Sequence, residues 1–407
     1  MRIFFSVGEP SGDLHGSNLI HALHARHPHW EFVGYGGPKM AAAGCQLHYD
    51  LTQLAVMWLG QALANYPKFR SLVDRAEQYF QKHRPDAVVL IDYPGFNWHI
   101  AKAAKAQGIP VIYYGTPQLW AWASWRVKKM QRYVDHVLCK LPFEEQWFRE
   151  RGCRATFVGH PYFDELEAQQ LDKTFIDRLQ TDQRPLVTIL PGSRTQEVKS
   201  NLLPFLKTAK LIHAAVPNVR FAVAGFKESQ RALAQEIIDD SGIYAELYIA
   251  KTPELIHAAK CCLACSGSVS LELLYRTKPT AILYQISRLA FAVQKMLRTV
   301  RYITLVNLLT AKEPFANTEA GHYDPADPRD EHVLMPEYLT CEDRSADLAR
   351  HIIDWLKFEP ALQKNVQGLT ALKARVGHGG ASVRAAEYIE KLFVEPAVRP
   401  VTKPQAA

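Results

Sequence analysis

The feature that most restricts the fold of this chain is an alternation of short β-branched runs with helical stretches, made twice over. Apolar runs at 3–7, 32–34, 87–91, 111–114, 137–139 and 156–158 are separated by helix-period segments such as 16–25, 72–82 and 98–106. A polar, strand-free stretch at 164–185 reads as a linker, and the alternation resumes at 186–190, 221–224, 247–249, 262–264 and 280–284. Short apolar runs joined through helices require parallel sheets with crossover connections. At 407 residues the chain is too long for one ordinary core. The expectation is an α/β protein with two Rossmann-like, doubly wound domains, 1–180 and 181–395, whose last helices can return to the first domain. Residues 396–407 read as a disordered tail. Such sheets bind ligands at the carboxyl ends of their strands, which would place a ligand in a cleft between the domains.

Composition closes off several alternatives. No run reaches the roughly 18 apolar residues of a membrane span, and the apolar part of "MRIFFSVGEPSGD" is too short for a signal peptide. A cytoplasmic protein is expected. Seven cysteines, an odd count, fit reduced thiols better than a disulfide framework. Cys261, Cys262 and Cys265 lie in a strand pattern without a second ligand pair, so no metal is expected. Net charge is +7, which favours an anionic partner. From 273 to 312 there is no acidic residue, and Ile286, Leu289, Ala290, Val293, Leu297 and Val300 recur at helical spacing. Arg288, Lys295, Arg298 and Arg301 take the rest of the wheel. That pattern suits either a helix on a membrane surface or one packed on the core with a solvated basic face. The basic residues interleave with aliphatic, not aromatic, side chains, which argues against nucleic acid.

Five turns could carry chemistry. In "LPGSRTQEV" a strand ends in Gly192, Ser193 and Arg194 before a helix, whose unpaired amides and guanidinium would receive phosphate. In "CSGSVSLEL" Ser266, Gly267 and Ser268 follow the apolar run 262–264. Glu272 lies one helical turn further on, placed for ribose hydroxyls or for a capping box. Two such turns point to a nucleoside diphosphate. Neither is a G-x-x-x-x-G-K-[ST] loop, and no G-x-G-x-x-G follows a strand, which counts against ATP hydrolysis and NAD chemistry. In "VGEPSGDLHG" the residues Gly8, Glu9, Ser11, Gly12 and Asp13 suit sugar hydroxyls, or Ser11 or Asp13 caps a helix. In "LIDYPGFN" Asp92 ends a central strand, either as a general base or as a cap near Asn97. "YGGPKM", 35–40, reads as a loop able to close on a ligand, or as a simple turn.

Together "GEPSGDLHG", "GGPKMAAAG", "LIDYPGFN", "QLWAWASWRVKKM", "LPFEEQWF", "FVGHPYFDE", "LPGSRTQEV", "SGSVSLE" and "ITLVNLL" resemble the lipid-A-disaccharide synthases. The resemblance covers roughly 1–310. It implies the GT-B fold, with two Rossmann-like domains facing a cleft. The implied reaction is inverting transfer from UDP-2,3-diacylglucosamine to 2,3-diacylglucosamine 1-phosphate, giving a β-1,6-linked disaccharide 1-phosphate and UDP. It further implies Asp92 as general base, with Arg194, Glu272 and Asn307 on the donor. Gly8, Glu9, Ser11, Gly12, Asp13, Asn97 and His160 fall on the acceptor side. No cofactor is implied, and the partner surface is the inner membrane, met from the cytoplasm; an oligomer is compatible. The sequence also lacks a D-x-D pair for a metal-bridged diphosphate. It departs from the family pattern at Gly95, at Gly115-Thr116-Pro117-Gln118, and in an inserted surface loop at 314–332. The apolar segment 55–69 is a candidate for acyl contact or a core helix. On the same architecture, a UDP-sugar epimerase or a transferase with another lipid acceptor are the rival activities.

Overall fold

A computed structural model describes residues 1–55, 66–315 and 323–394. Among them the strands pair in parallel throughout and form two sheets. The first contains β1 (Arg2–Val7), β2 (Glu31–Gly36), β3 (Gln46–Asp50), β4 (Ala87–Ile91), β5 (Val111–Tyr114), β6 (His136–Cys139) and β7 (Ala155–Phe157), in the order β3-β2-β1-β4-β5-β6-β7. The second contains β8 (Leu186–Leu190), β9 (Arg220–Gly225), β10 (Glu246–Ile249), β11 (Cys261–Cys265), β12 (Thr280–Gln285) and β13 (Glu337–Thr340), in the order β10-β9-β8-β11-β12-β13. Central strands such as β4 (AVVLI) and β8 (LVTIL) are buried at every residue, because helices cover both faces of a parallel sheet. The expected α/β class holds. The two strands absent from the sequence reading, β3 and β13, are edge strands whose polar residues break the apolar run.

The chain divides into two compact units, each around one sheet. One comprises Met1–Leu119, Trp125–Asp164 and the chain from Gly379 onward; the other comprises Trp120–Ser124 and Glu165–His378. The helix Ala381–Phe393 belongs to the first unit, where Ala385, Ala386 and Ile389 join the core formed by Ile3, Phe5 and Leu19. Both oxygens of Asp164 cap it, accepting from Ala381 N at 3.0 Å and Ser382 N at 2.9 Å. Near its other end Glu390 accepts from Arg26 Nε at 2.7 Å and pairs with His27 at 2.9 Å.

Two sequence readings need correction. The stretch 164–185 is not an open linker. It carries the end of the helix Tyr162–Ala168 and the helix Lys173–Thr181, capped by Asp172, which also pairs with Lys251 at 2.6 Å. The stretch 314–332 is not simply a surface loop, since Asp330 is buried within it. Residues 316–322 of that stretch lie outside the described residues, as do 56–65 of the proposed acyl-contact segment and the tail from 395.

Candidate active site

In the first sheet the strand order reverses between β1 and β4, and crossovers leaving in opposite directions open a crevice at their carboxyl ends. The Gly8–Asp13 turn and Asp92 both emerge there. Asp92 and Tyr93 have φ of +46° and +44°, a left-handed pair that costs L-residues about 1–3 kcal/mol each and persists only where the surroundings impose it. The imposing bonds are specific. Tyr113 Oη donates to Asp92 O at 2.6 Å, Asn97 Nδ2 donates to the same oxygen at 2.8 Å, and Asp92 N donates to Gly115 O at 3.3 Å.

Within this frame the Asp92 carboxylate is 20% exposed, and its Oδ1 accepts from Lys140 Nζ at 3.1 Å. Oδ2 accepts no hydrogen bond among the described residues. A Cβ built on Gly12 would lie 3.9 Å from Oδ2, and one on Gly115 would lie 3.5 Å from Oδ1. Two side-chain-free positions therefore flank the carboxylate. Burial works against the Lys140 ammonium, but Asp92 and Glu144 more than offset it and hold its pKa above the usual lysine value. His160 is buried, and burial, Lys140 and His15 push its pKa well below the ordinary imidazole value. Its Nδ1 accepts from Tyr162 N at 3.2 Å, which leaves the neutral ring's proton on Nε2. Gly8 is packed under Tyr93, Glu9 is half-buried and Ser11 is exposed.

Other expected acceptor residues are committed elsewhere. Asp13 is buried and accepts from the backbone amides of Gly37, Lys39 and Met40 at 2.9–3.1 Å. It caps the helix Pro38–Ala42, so Asp13 is not a sugar grip and "YGGPKM" is pinned, not a free lid. Asn97 is fully buried as well. Its Oδ1 accepts from Ser6 Oγ at 2.7 Å, and its amide reaches Ser6 O, Ile91 O and Asp92 O. Asn97 braces the ends of β1 and β4 and has no free atom for a sugar. Gly95 is exposed, and a Cβ there would meet nothing within 4 Å, so the glycine answers no steric need.

The second sheet reverses between β8 and β11, and the two glycine-serine turns leave those strands. Gly192 has φ +122°, and a Cβ there would sit 2.5 Å from Glu197 Cβ, so only glycine fits beneath the first turn of the helix Thr195–Ala215. Arg194 is 72% exposed and pairs with Glu197 at 3.1 Å, while Glu197 Oε2 accepts from Arg194 N. Ser193 is exposed, and its carbonyl is held by buried Gln230 at 2.9 Å. Asn201, one turn past Glu197, gathers the crevice. It donates to Glu197 O and Cys265 Sγ and accepts from Gln285 N, joining the ends of β8, β11 and β12. Ser266, Gly267 and Ser268 lie at least partly open. Glu272 is buried against Arg276 Nε at 3.0 Å.

Asn307 was expected on the donor, but its side chain is spent inside the unit. It donates to Met335 O and Glu337 Oε2 and accepts from Met335 N. Glu337 also accepts from Ile303 N and Thr304 N, and burial raises its pKa against those bonds. Asn307 is a brace for the turn into the helix Leu305–Thr310.

The acid-free span forms a helix at Arg288–Leu297, shorter than the expected 286–301. None of its residues is buried. Leu289, Val293 and Met296, on one face, are 77%, 45% and 78% exposed, with Leu297 and the neighbouring Trp122 partly so. Thr299 donates to the carbonyls of Trp120 and Ala121, which ties the Trp122 segment to this helix end. Arg288 and Lys295 are exposed and flank the apolar face. Arg298 is half-buried. Arg301 is a correction: it is buried and bonded to Asp330 at 2.8–2.9 Å and Asp327 at 2.8 Å. No solvent or lipid surface meets it.

A family model described as Lipid-A-disaccharide synthetase matches residues 3–366. The lipid-A-disaccharide synthase of Myxococcus xanthus is 31% identical, covering 96% of this chain and 97% of its own. That of Coxiella burnetii is 36% identical, covering 77% and 83%. This chain belongs to the lipid-A-disaccharide synthase family. The family's enzymes are glycosyltransferases, and this member is one. Solved structures agree on the fold. A UDP-GlcNAc 2-epimerase from Neisseria meningitidis, bound to UDP-GlcNAc, aligns with TM-score 0.62 at 12% identity over 96% of this chain and 100% of its own. The calicheamicin glycosyltransferase CalG4 aligns at 0.53 with 16% identity over 97% and 99%. The fold is of GT-B type. The site residues that sequence reading missed in this family member are Lys140, Asn201 and Glu337. Only Lys140 carried a signal, as a cation directly at the carboxyl end of an apolar run.

Proposed function

We propose that the enzyme transfers a diacylated glucosamine from UDP to the 6-hydroxyl of a diacylated glucosamine 1-phosphate, with inversion. The observation that carries this is the Asp92 carboxylate, clamped at the strand-order reversal of the first unit with Oδ2 open. A sugar hydroxyl is a weak nucleophile, and Oδ2 takes its proton as the oxygen attacks C1 of the donor. The bond from C1 to the β-phosphate oxygen breaks, and charge gathers on UDP. The amides opening the helix Thr195–Ala215 and the exposed Arg194 receive that charge. Ser193, Ser266, Gly267 and Ser268 line the diphosphate, and Glu272, held by Arg276, takes the ribose hydroxyls.

The acyl chains of both substrates stay in a bilayer, and no helix among the described residues is long and apolar enough to cross one. The helix Arg288–Leu297 supports attachment to the surface of the inner membrane, with Leu289, Val293 and Met296 entering the lipid and Arg288 and Lys295 at the headgroups. Incubation with a defined pair of acylated glucosamines, followed by intact-mass analysis, tests the reading. A disaccharide phosphate and UDP are expected. Epimerisation of the UDP-sugar without acceptor would overturn it. Asp92→Asn should keep UDP affinity and lose roughly 100- to 10,000-fold in turnover; a normal rate removes Asp92 as base.

A further inference from the structure

We infer that Lys140 is a positioning residue for this reaction: its ammonium occupies Oδ1 of Asp92, so that Oδ2 alone faces the acceptor hydroxyl. The inference rests on Asp92 being the base. Two oxygens on a freely turning carboxylate would share the task, and each would spend time out of line with the incoming hydroxyl. The backbone of Asp92 is already fixed by Tyr113, Asn97 and Gly115, which leaves side-chain rotation as the remaining freedom. The 3.1 Å bond from Lys140 removes it.

Lys140 is itself held for this purpose. Its backbone amide and that of Leu141 donate to Glu144 Oε2 at 2.9 and 3.0 Å, and Glu144 is fully buried. The Lys140 side chain is only 13% exposed. It starts at the end of β6 and reaches past the end of β5 to that of β4. Glu9 and Glu144 add negative charge around the ammonium, and His160, kept neutral by burial, adds no competing cation. A compact ammonium suits the role, since it makes one directed bond and leaves the second oxygen open.

The test is a cycle of purified full-length variants assayed for kcat and KM. Lys140→Met should lower kcat by about 10- to 100-fold, the scale of a misplaced catalytic group, with donor KM unchanged. Combined with Asp92→Asn it should cause no further loss, because a residue acting only through Asp92 has nothing left to position. Lys140→Arg keeps the charge, but its guanidinium would fork both oxygens, so it should lose kcat on a similar scale; it covers the case in which Lys140→Met does not fold. A Lys140→Met rate within twofold of the parent overturns the inference. So does a full independent loss in the Asp92→Asn background, or parent-like activity with arginine. An active Asp92→Asn enzyme instead overturns the general-base reading, so the two failures are told apart.

Discussion

Replacing Asn97 by alanine tests whether the geometry at Asp92 is imposed by one buried amide. The side chain is fully buried and donates through Nδ2 to carbonyls of Ser6, Ile91 and Asp92 at 3.2, 3.2 and 2.8 Å, while Oδ1 accepts from Ser6 Oγ at 2.7 Å. Two N–H groups serve three acceptors, so about two net hydrogen bonds are lost at roughly 1 kcal/mol each. The Ser6 hydroxyl, also fully buried, is left without its acceptor, which adds about 1–3 kcal/mol. Asn97→Ala should therefore destabilise the protein by about 3–5 kcal/mol, a large share of an ordinary folding free energy of roughly 5–15 kcal/mol. Asn97→Asp should be worse, although it is nearly isosteric. It keeps an acceptor for Ser6 Oγ but turns a negative oxygen toward the three carbonyls in a buried site. Urea unfolding of parent and both variants gives the stabilities, and kcat gives the effect on Asp92. A loss below about 1 kcal/mol for alanine, or a milder effect for aspartate than for alanine, would refute the bracing role.

Further outcomes follow from other contacts. His351 is half-buried among Tyr323, Tyr338 and Trp355, and burial, then Arg350, lowers its pKa to about 4. The unfolded chain, with an ordinary value near 6.5, binds the proton first as pH falls. Stability should drop between about pH 6.5 and 4 by up to about 3 kcal/mol, and His351→Gln should flatten that part of the denaturation profile. Asp164→Ala removes both cap bonds of the helix Ala381–Phe393 and should cost about 1–2 kcal/mol, with faster amide exchange at Ala381 and Ser382 as the local readout. Leu289→Glu with Met296→Glu should cut binding to anionic vesicles more than tenfold, since each exposed side chain would gain about 1.5–3 kcal/mol on burial. Calorimetric UDP affinity should not change, and unaltered sedimentation with vesicles would remove this helix from the membrane contact.

What could be read from the chain alone is the part written in local pattern. β1, β4, β8 and β11 are continuous apolar runs because both of their faces are covered. The glycine turns that end them mark the reversals of strand order. That locates both crevices without coordinates. β3 and β13 escaped because an edge strand need not be an apolar run, and QLHYD and EYLT are not. The side chains misread were those whose partners lie far along the chain. Asp13 is consumed by amides at 37–40, Asn97 by the end of β1, and Asn307 by Met335 and Glu337. A sequence records that a polar group is present at a turn; it does not record whether the fold has already satisfied it.

The basic span shows the same limit from the side of charge and of direction. Between 273 and 312 the sequence holds no acid, so Arg301 reads as an open cation. Asp327 and Asp330 neutralise it from outside the span, in a stretch that reads as an insertion. Burial of that arginine is tolerable only with such partners, because an unpaired buried charge costs several kcal/mol. Helical spacing likewise establishes that Leu289, Val293 and Met296 share a face, but the period is identical whether that face points inward or outward. The outward direction is decided by the other side of the wheel. Phe291 and Gln294 face the protein, and the apolar stripe turns away from it. A monomer gains nothing from exposing three large aliphatic side chains in a row. The cost of leaving them in water is recovered only against another apolar phase, and in the membrane attachment proposed above that phase is the bilayer.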